Sequence, residues 1–207
     1  MKELAGCGMA KPEVAGKMPP IQFPFYSFRI ELKEIKPKIW RYFYAPSNIS
    51  LKRFHNVIQE VMGWSNYHLF SFRIFGEDFM DSDADDPFSF LQTRSGLSRI
   101  KLDSLGLSKG SRFTYMYDMG DGWDHVIKVL DDDYVPKTPK RKYGCFKGAR
   151  ACPPEDCGGP YGYENLLEIL GNPDHMEHEE RMEWAGGPLD PEAFDMDAIN
   201  DSLRHIR

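Results

Sequence analysis

The chain has 207 residues, 41% of them hydrophobic and 14% aromatic, which is material for a packed core and excludes a disordered chain. A formal net charge of −6 excludes broad binding to phosphate backbones while leaving local basic patches open. No stretch approaches the roughly 18 apolar residues of a membrane span, and the N-terminus lacks an apolar signal core, so the expected setting is the reducing cytoplasm, with no membrane partner.

Residues 1–23, rich in Gly, Pro and Lys and without periodicity, read as a flexible tail ahead of one domain over 24–207, and Cys7 lies in that tail. In FYSFRIEL, Tyr26, Phe28, Ile30 and Leu32 alternate with polar residues, the period of a half-buried strand. KIWRYFYAP is a second strand, ended by Pro46. Ser50 then caps a helix that places Leu51, Phe54, Val57, Ile58 and Val61 on one face and stops at Gly63. HLFSFRIFG is a third strand.

The acidic EDFMDSDADDPF that follows imitates the start of a calcium loop at Asp81, Asp83 and Asp85. Asp86 stands where such a loop needs Gly, and Gln92 where it needs the bidentate Glu, so the stretch reads as a solvated loop. SRFTYMYDMGDGWDHVIKVL predicts a hairpin turned at DMGDG. A loop from Asp131 to Tyr161 leads into the helices. YENLLEIL ends at Gly171, and Asn172 and Pro173 open a helix over DHMEHEERMEWAGG. The last helix follows Asp195 and carries Met196, Ile199, Leu203 and Ile206 on one stripe. Strands first and helices last predict an α+β fold: an antiparallel sheet with its helices segregated to one side.

The motifs IKPKIWR, VMGWSNYHLFSF, YDMGDGWDHVI, CFKGARACPPEDCGGPYGYENLLEIL, DHMEHEERMEWAGG and FDMDAIN occur in this order. The series resembles the plasmid ORF-three-like family, first named from an Agrobacterium root-inducing plasmid, from about Phe25 to Leu203. The resemblance implies a compact α+β protein with a curved antiparallel sheet. Members are often labelled TnpR-like passenger proteins of insertion elements, which implies an association with mobile elements. It carries over no established activity. The resolvase chemistry that the label suggests finds no support: neither an N-terminal domain with a nucleophilic Ser nor a C-terminal helix-turn-helix is legible.

Three features offer chemistry. Cys145, Cys152 and Cys157 make C-x6-C-x4-C in a Pro- and Gly-rich loop. With His125, or alternatively His175 or His178, as a fourth ligand, they would close a structural zinc site. The competing readings are free thiols packed as small hydrophobes and, less favoured in a reducing cell, a disulfide. The zinc reading makes the chain a binding or accessory module with a metal-stabilised cap.

The second feature is a polar constellation of His68, Asp118, Asp121, Asp124, His125, Glu155 and Asp156. A metal-dependent hydrolase or nucleic-acid-processing enzyme would draw on Asp121, His125 and Glu155, with His68 as a further candidate. Against this, Asp and Gly are what turns require. The third is the basic run from Lys137, in which Lys140, Arg141, Lys142, Lys147 and Arg150 are the candidate contacts for nucleic acid or a protein partner, unless the run is only a solvated loop. Trp64, Trp123 and Trp184 read as packing.

Overall fold

The computed structural model describes residues 23–80, 96–137 and 141–206. The expected tail up to residue 22, the calcium-like stretch at Asp81, Asp83, Asp85, Asp86 and Gln92, and Lys140 lie outside these residues.

Alternating apolar residues build seven strands: β1 Phe25–Leu32, β2 Trp40–Pro46, β3 Phe70–Ile74, β4 Glu77–Phe79, β5 Arg112–Tyr117, β6 Trp123–Tyr134 and β7 Gly144–Ala149. They form one sheet in the order β4-β3-β5-β6-β1-β2-β7, and each neighbouring pair is antiparallel. The pairing aligns inward residues across the middle of the sheet. Phe72 stands opposite Tyr115, Tyr115 opposite His125 and His125 opposite Leu32. One face is thereby apolar across the sheet, as period-two patterning requires.

Helix α1, Leu51–Met62, lies on that face. Ser50 Oγ accepts from the Arg53 N–H at 3.2 Å, and Gly63 closes the helix at φ +101°. Its Phe54 ring sits 4.9 Å from Phe28, 5.9 Å from Phe43 and Phe72, and 6.3 Å from Phe113. This aromatic layer is the centre of the core. Helices α2, Gly159–Leu170, α3, His178–Trp184, and α4, Met196–Ser202, complete the single α+β domain. No helix of the described residues is long and apolar enough to cross a membrane.

Three elements differ from the sequence reading. β7 lies inside the expected loop from Asp131 to Tyr161, because its residues lack any alternation of large apolar side chains. Its order comes from elsewhere. β2 pairs with it, and the Asn200 amide on α4 accepts from Cys145 N at 2.9 Å and donates to Cys145 O at 2.8 Å, as another strand would. β4 emerges from the acidic stretch, clasped by a two-pronged Arg73–Asp78 pair at 2.7 Å. Helix α3 starts at His178 rather than just after Pro173. The Asn172 side chain accepts from Asp174 N at 3.2 Å and makes a turn there instead of a helix cap.

Candidate metal centre

The β5–β6 hairpin turn begins at Asp118, whose φ of +53° suits Asp better than most residues. Its Oδ1 accepts from Gly120 N at 2.9 Å and Asp121 N at 3.3 Å, which fixes the carboxylate and leaves Oδ2 pointing outward from the turn. The Asp118 N–H donates to Leu69 O at 2.9 Å, so the segment entering β3 is laced to the same corner and brings His68 with it.

The PPED segment closes over this corner from the far side. Trp64 Nε1 donates to Pro153 O at 3.2 Å, and the Gly158 N–H donates to Asp121 Oδ2 at 3.1 Å. Gly159, at φ +69°, lies so close that a Cβ there would stand 2.3 Å from the Asp121 carbonyl oxygen. The paired glycines of CGGPYGY therefore serve the approach of loop to hairpin. Glu155 is oriented at both ends of its carboxylate: Oε1 accepts from Ser65 N at 2.7 Å, and the Tyr117 hydroxyl donates to Oε1 at 3.1 Å and Oε2 at 3.3 Å. Burial, with Glu155 adding to it, pushes the Tyr117 hydroxyl up to about 12, so it stays a donor.

The result is a histidine facing three carboxylates. His68 Nε2 lies 3.3 Å from Asp156 Oδ1, 3.7 Å from Asp118 Oδ2 and 3.7 Å from Glu155 Oε2. That nitrogen is buried and has no hydrogen-bond partner among the described residues. His68, Asp118 and Asp156 are the one group of three or more potential ligand residues, among those described, whose donor atoms all lie within 4.8 Å of one another. The Asp118 side chain is 9% exposed and that of Asp156 71%, so the cluster runs from a buried floor to an open mouth.

The interior histidine of β6 does something else. His125 is fully buried; its Nδ1 donates to Tyr115 O at 3.1 Å, and burial pulls its pKa down to about 4. Asp124, one residue earlier and on the opposite face, pairs with Lys33 at 2.7 Å. Asp121 spends a carboxylate oxygen on Gly158. Of the hydrolase candidates, His68 and Glu155 thus meet, and Asp121 and His125 do not join them. Asp118 and Asp156 take those places.

The zinc set expected from the cysteine spacing is not assembled: no three donor atoms among Cys145, Cys152, Cys157, His125, His175 and His178 gather within 4.8 Å. Cys145 is pinned in β7 by Asn200, its Sγ 3.7 Å from Lys147 O. All three are free thiols. Burial raises Cys145 to about 11 and Cys157 to about 12, and Cys152 well above its ordinary value. His175 Nδ1 instead accepts from Glu177 N at 3.1 Å.

The basic run is dispersed. Arg150 has a 7%-exposed side chain committed to Glu192 and to Pro37 O, at 2.7 and 2.6 Å, so it is no surface contact for phosphate. Lys147 lies over the Trp40 ring, whereas Arg141 and Lys142 line a separate hollow with Arg204. Trp64 and Trp123 are core residues as expected, but Trp184 is 45% exposed.

Fold and corner define a class: a single-domain α+β protein whose seven-stranded antiparallel sheet carries a histidine–carboxylate cluster where the β5–β6 turn meets the loop before α2. The chain belongs to the family described as Plasmid pRiA4b ORF-3-like protein, whose profile matches residues 24–198. It is 33% identical over 177 residues to the uncharacterized protein y4hQ of Sinorhizobium fredii, a match covering 84% of this chain and 88% of that one. It is also similar to the crystal structure of a protein of unknown function, MM3350, from Methanosarcina mazei Go1. The TM-score is 0.72 and the identity 31%, across 84% of this chain and 97% of the other.

Proposed function

We propose that this protein is a divalent-cation-dependent hydrolase, with the ion held by His68, Asp118 and Asp156 and with Glu155 beside it. One observation carries the reading: the spacing around His68 Nε2. Charge-assisted hydrogen bonds run about 2.7–2.9 Å, and the separations of 3.3 and 3.7 Å here are longer. Two donors each about 2.1 Å from a shared ion stand roughly 3–3.5 Å apart, which holds the 3.3 Å to Asp156, whereas the 3.7 Å to Asp118 would have to close slightly on an ion. One imidazole with carboxylates suits a borderline or hard ion such as Mn²⁺ or Zn²⁺.

The ion would polarise a bound oxygen and lower the pKa of a water. The exposed Asp156 leaves the outer side of the site open, as catalytic sites require and closed structural ones do not. Glu155, held by Tyr117 and Ser65, is aimed to take the water's proton. The water oxygen would then bond to the electrophilic centre, and the leaving group would depart with that proton as its bond breaks.

This reading is better supported than a zinc cap in the cysteine loop, where no three of the expected donor atoms lie within 4.8 Å of one another. Zinc itself stays a candidate ion, at the histidine. An association with mobile elements rests on family membership alone. Titration of metal-stripped protein with Mn²⁺ by calorimetry should give about one equivalent per chain, with p-nitrophenyl phosphate hydrolysis lost on chelation. A folded protein that takes up neither Mn²⁺ nor Zn²⁺ at this corner would sink the proposal.

A further inference from the structure

Helix α3 buries none of its residues, which is unusual for a helix laid against a domain. Where it meets α2 there is a hollow of about 200 Å³. One wall is Asn165 and Leu166 of α2. The other is Arg181 and Trp184 of α3, three residues apart and so on one helical face. Cys157 and Asp156 also line it, and Asp156 is the residue that reaches His68. The hollow and the cation cluster therefore share a wall.

We infer that this hollow is the ligand pocket of the cation site and that it takes a nucleoside monophosphate, an inference that rests on the metal reading above. Three chemistries converge there. A phosphate entering beside Asp156 meets the ion on one side. The Arg181 guanidinium brings positive charge to the other; it is paired with Glu177 Oε2 at 3.5 Å through Nε and Nη2, a long contact that a phosphate can outcompete. The exposed Trp184 indole gives a flat base a face to stack on. Asn165, opposite, can exchange hydrogen bonds with the edge of a ring.

Calorimetry with adenosine 5′-monophosphate, on metal-stripped and on Mn²⁺-loaded full-length protein, tests this. Saturable binding is expected, about tenfold tighter with Mn²⁺ present. Arg181→Ala and Trp184→Ala should each weaken it about tenfold while leaving Mn²⁺ uptake and the melting temperature unchanged. Adenosine and ribose 5-phosphate should each bind at least tenfold more weakly than the intact nucleotide. Equal binding of ribose 5-phosphate overturns the nucleotide assignment. No binding to Mn²⁺-loaded protein, or undiminished binding to both variants, overturns the pocket while the metal reading survives. Nucleotide binding that depends on Arg181 and Trp184 in a protein that takes up no metal leaves the pocket and removes the cation.

Discussion

The buried layer under α1 and the corner beyond β5 are built from the same residue types, and they end in opposite states. Under α1, His55 Nε2 donates to Asn66 Oδ1 at 2.6 Å, its Nδ1 accepts from the Tyr115 hydroxyl at 2.8 Å, and Gln59 donates to that same hydroxyl at 2.9 Å. The imidazole also stacks on Phe70 at 3.5 Å. Burial draws its pKa down to about 4. That network is complete, and so it specifies the fold. At the corner, the carboxylates are oriented by donors behind them, but His68 Nε2 is left facing them with no hydrogen bond of its own among the described residues. His125 Nε2 and Trp123 Nε1 of the interior also lack a partner, so what sets His68 apart is that it faces three carboxylates, the arrangement on which the proposed cation site rests.

The contrast can be broken by experiment, and the largest effect should come from acid. His55 and His125 have pKa values of about 4 in the fold against an ordinary value of about 6.5. The unfolded chain therefore binds these protons first. The stability the two contribute is fully present above about pH 6.5 and is lost as pH falls through about 4, on the order of 3 kcal/mol for each. Urea midpoints measured from pH 7 down to 5 should fall. A flat profile would mean that the interior histidines are not neutral by burial.

Next in size is the loss of an ion ligand. His68→Ala or Asp118→Asn should weaken Mn²⁺ binding about 100-fold, roughly 2.7 kcal/mol. The Asn variant keeps the carbonyl oxygen that the hairpin turn uses, so the unfolding free energy from urea titration should hold within about 1 kcal/mol of the parent. Tyr115→Phe inverts that pattern. It strips His55 and Gln59 of their shared partner and should cost about 2 kcal/mol of stability with Mn²⁺ binding unchanged. The smallest effect belongs to Tyr117→Phe, which removes the donor behind Glu155, the base of the proposed reaction, and should slow metal-dependent p-nitrophenyl phosphate hydrolysis about tenfold with a smaller loss of stability than Tyr115→Phe. If the Tyr115 and Tyr117 variants behave alike in stability and in hydrolysis, the distinction between the two regions fails.

Much of this was legible in local pattern, since it depends on neighbours a few residues away. The stripe of Leu51, Phe54, Val57, Ile58 and Val61 between Ser50 and Gly63 specifies α1, and the alternation on either side of DMGDG specifies β5, β6 and their turn. The polar constellation was visible as a set of residues, with His68 and Glu155 among its candidates. Which members would meet was not visible. His125 looked as eligible as His68, yet period-two geometry turns it into the core.

By itself, then, the order of amino acids determined the strand periods, the caps, the turns and the α+β class, because short-range sterics and burial patterning act along the chain. Only the tertiary structure decided that β3 pairs with β5, that Gly159 lets the PPED loop close against Asp121, and that β7 forms at all. Those contacts join segments distant in the chain, and their free energy comes from surfaces that exist only once the sheet has assembled. The histidine–carboxylate corner is the product of such contacts, while the cysteine spacing, conspicuous along the chain, meets no corresponding convergence in space.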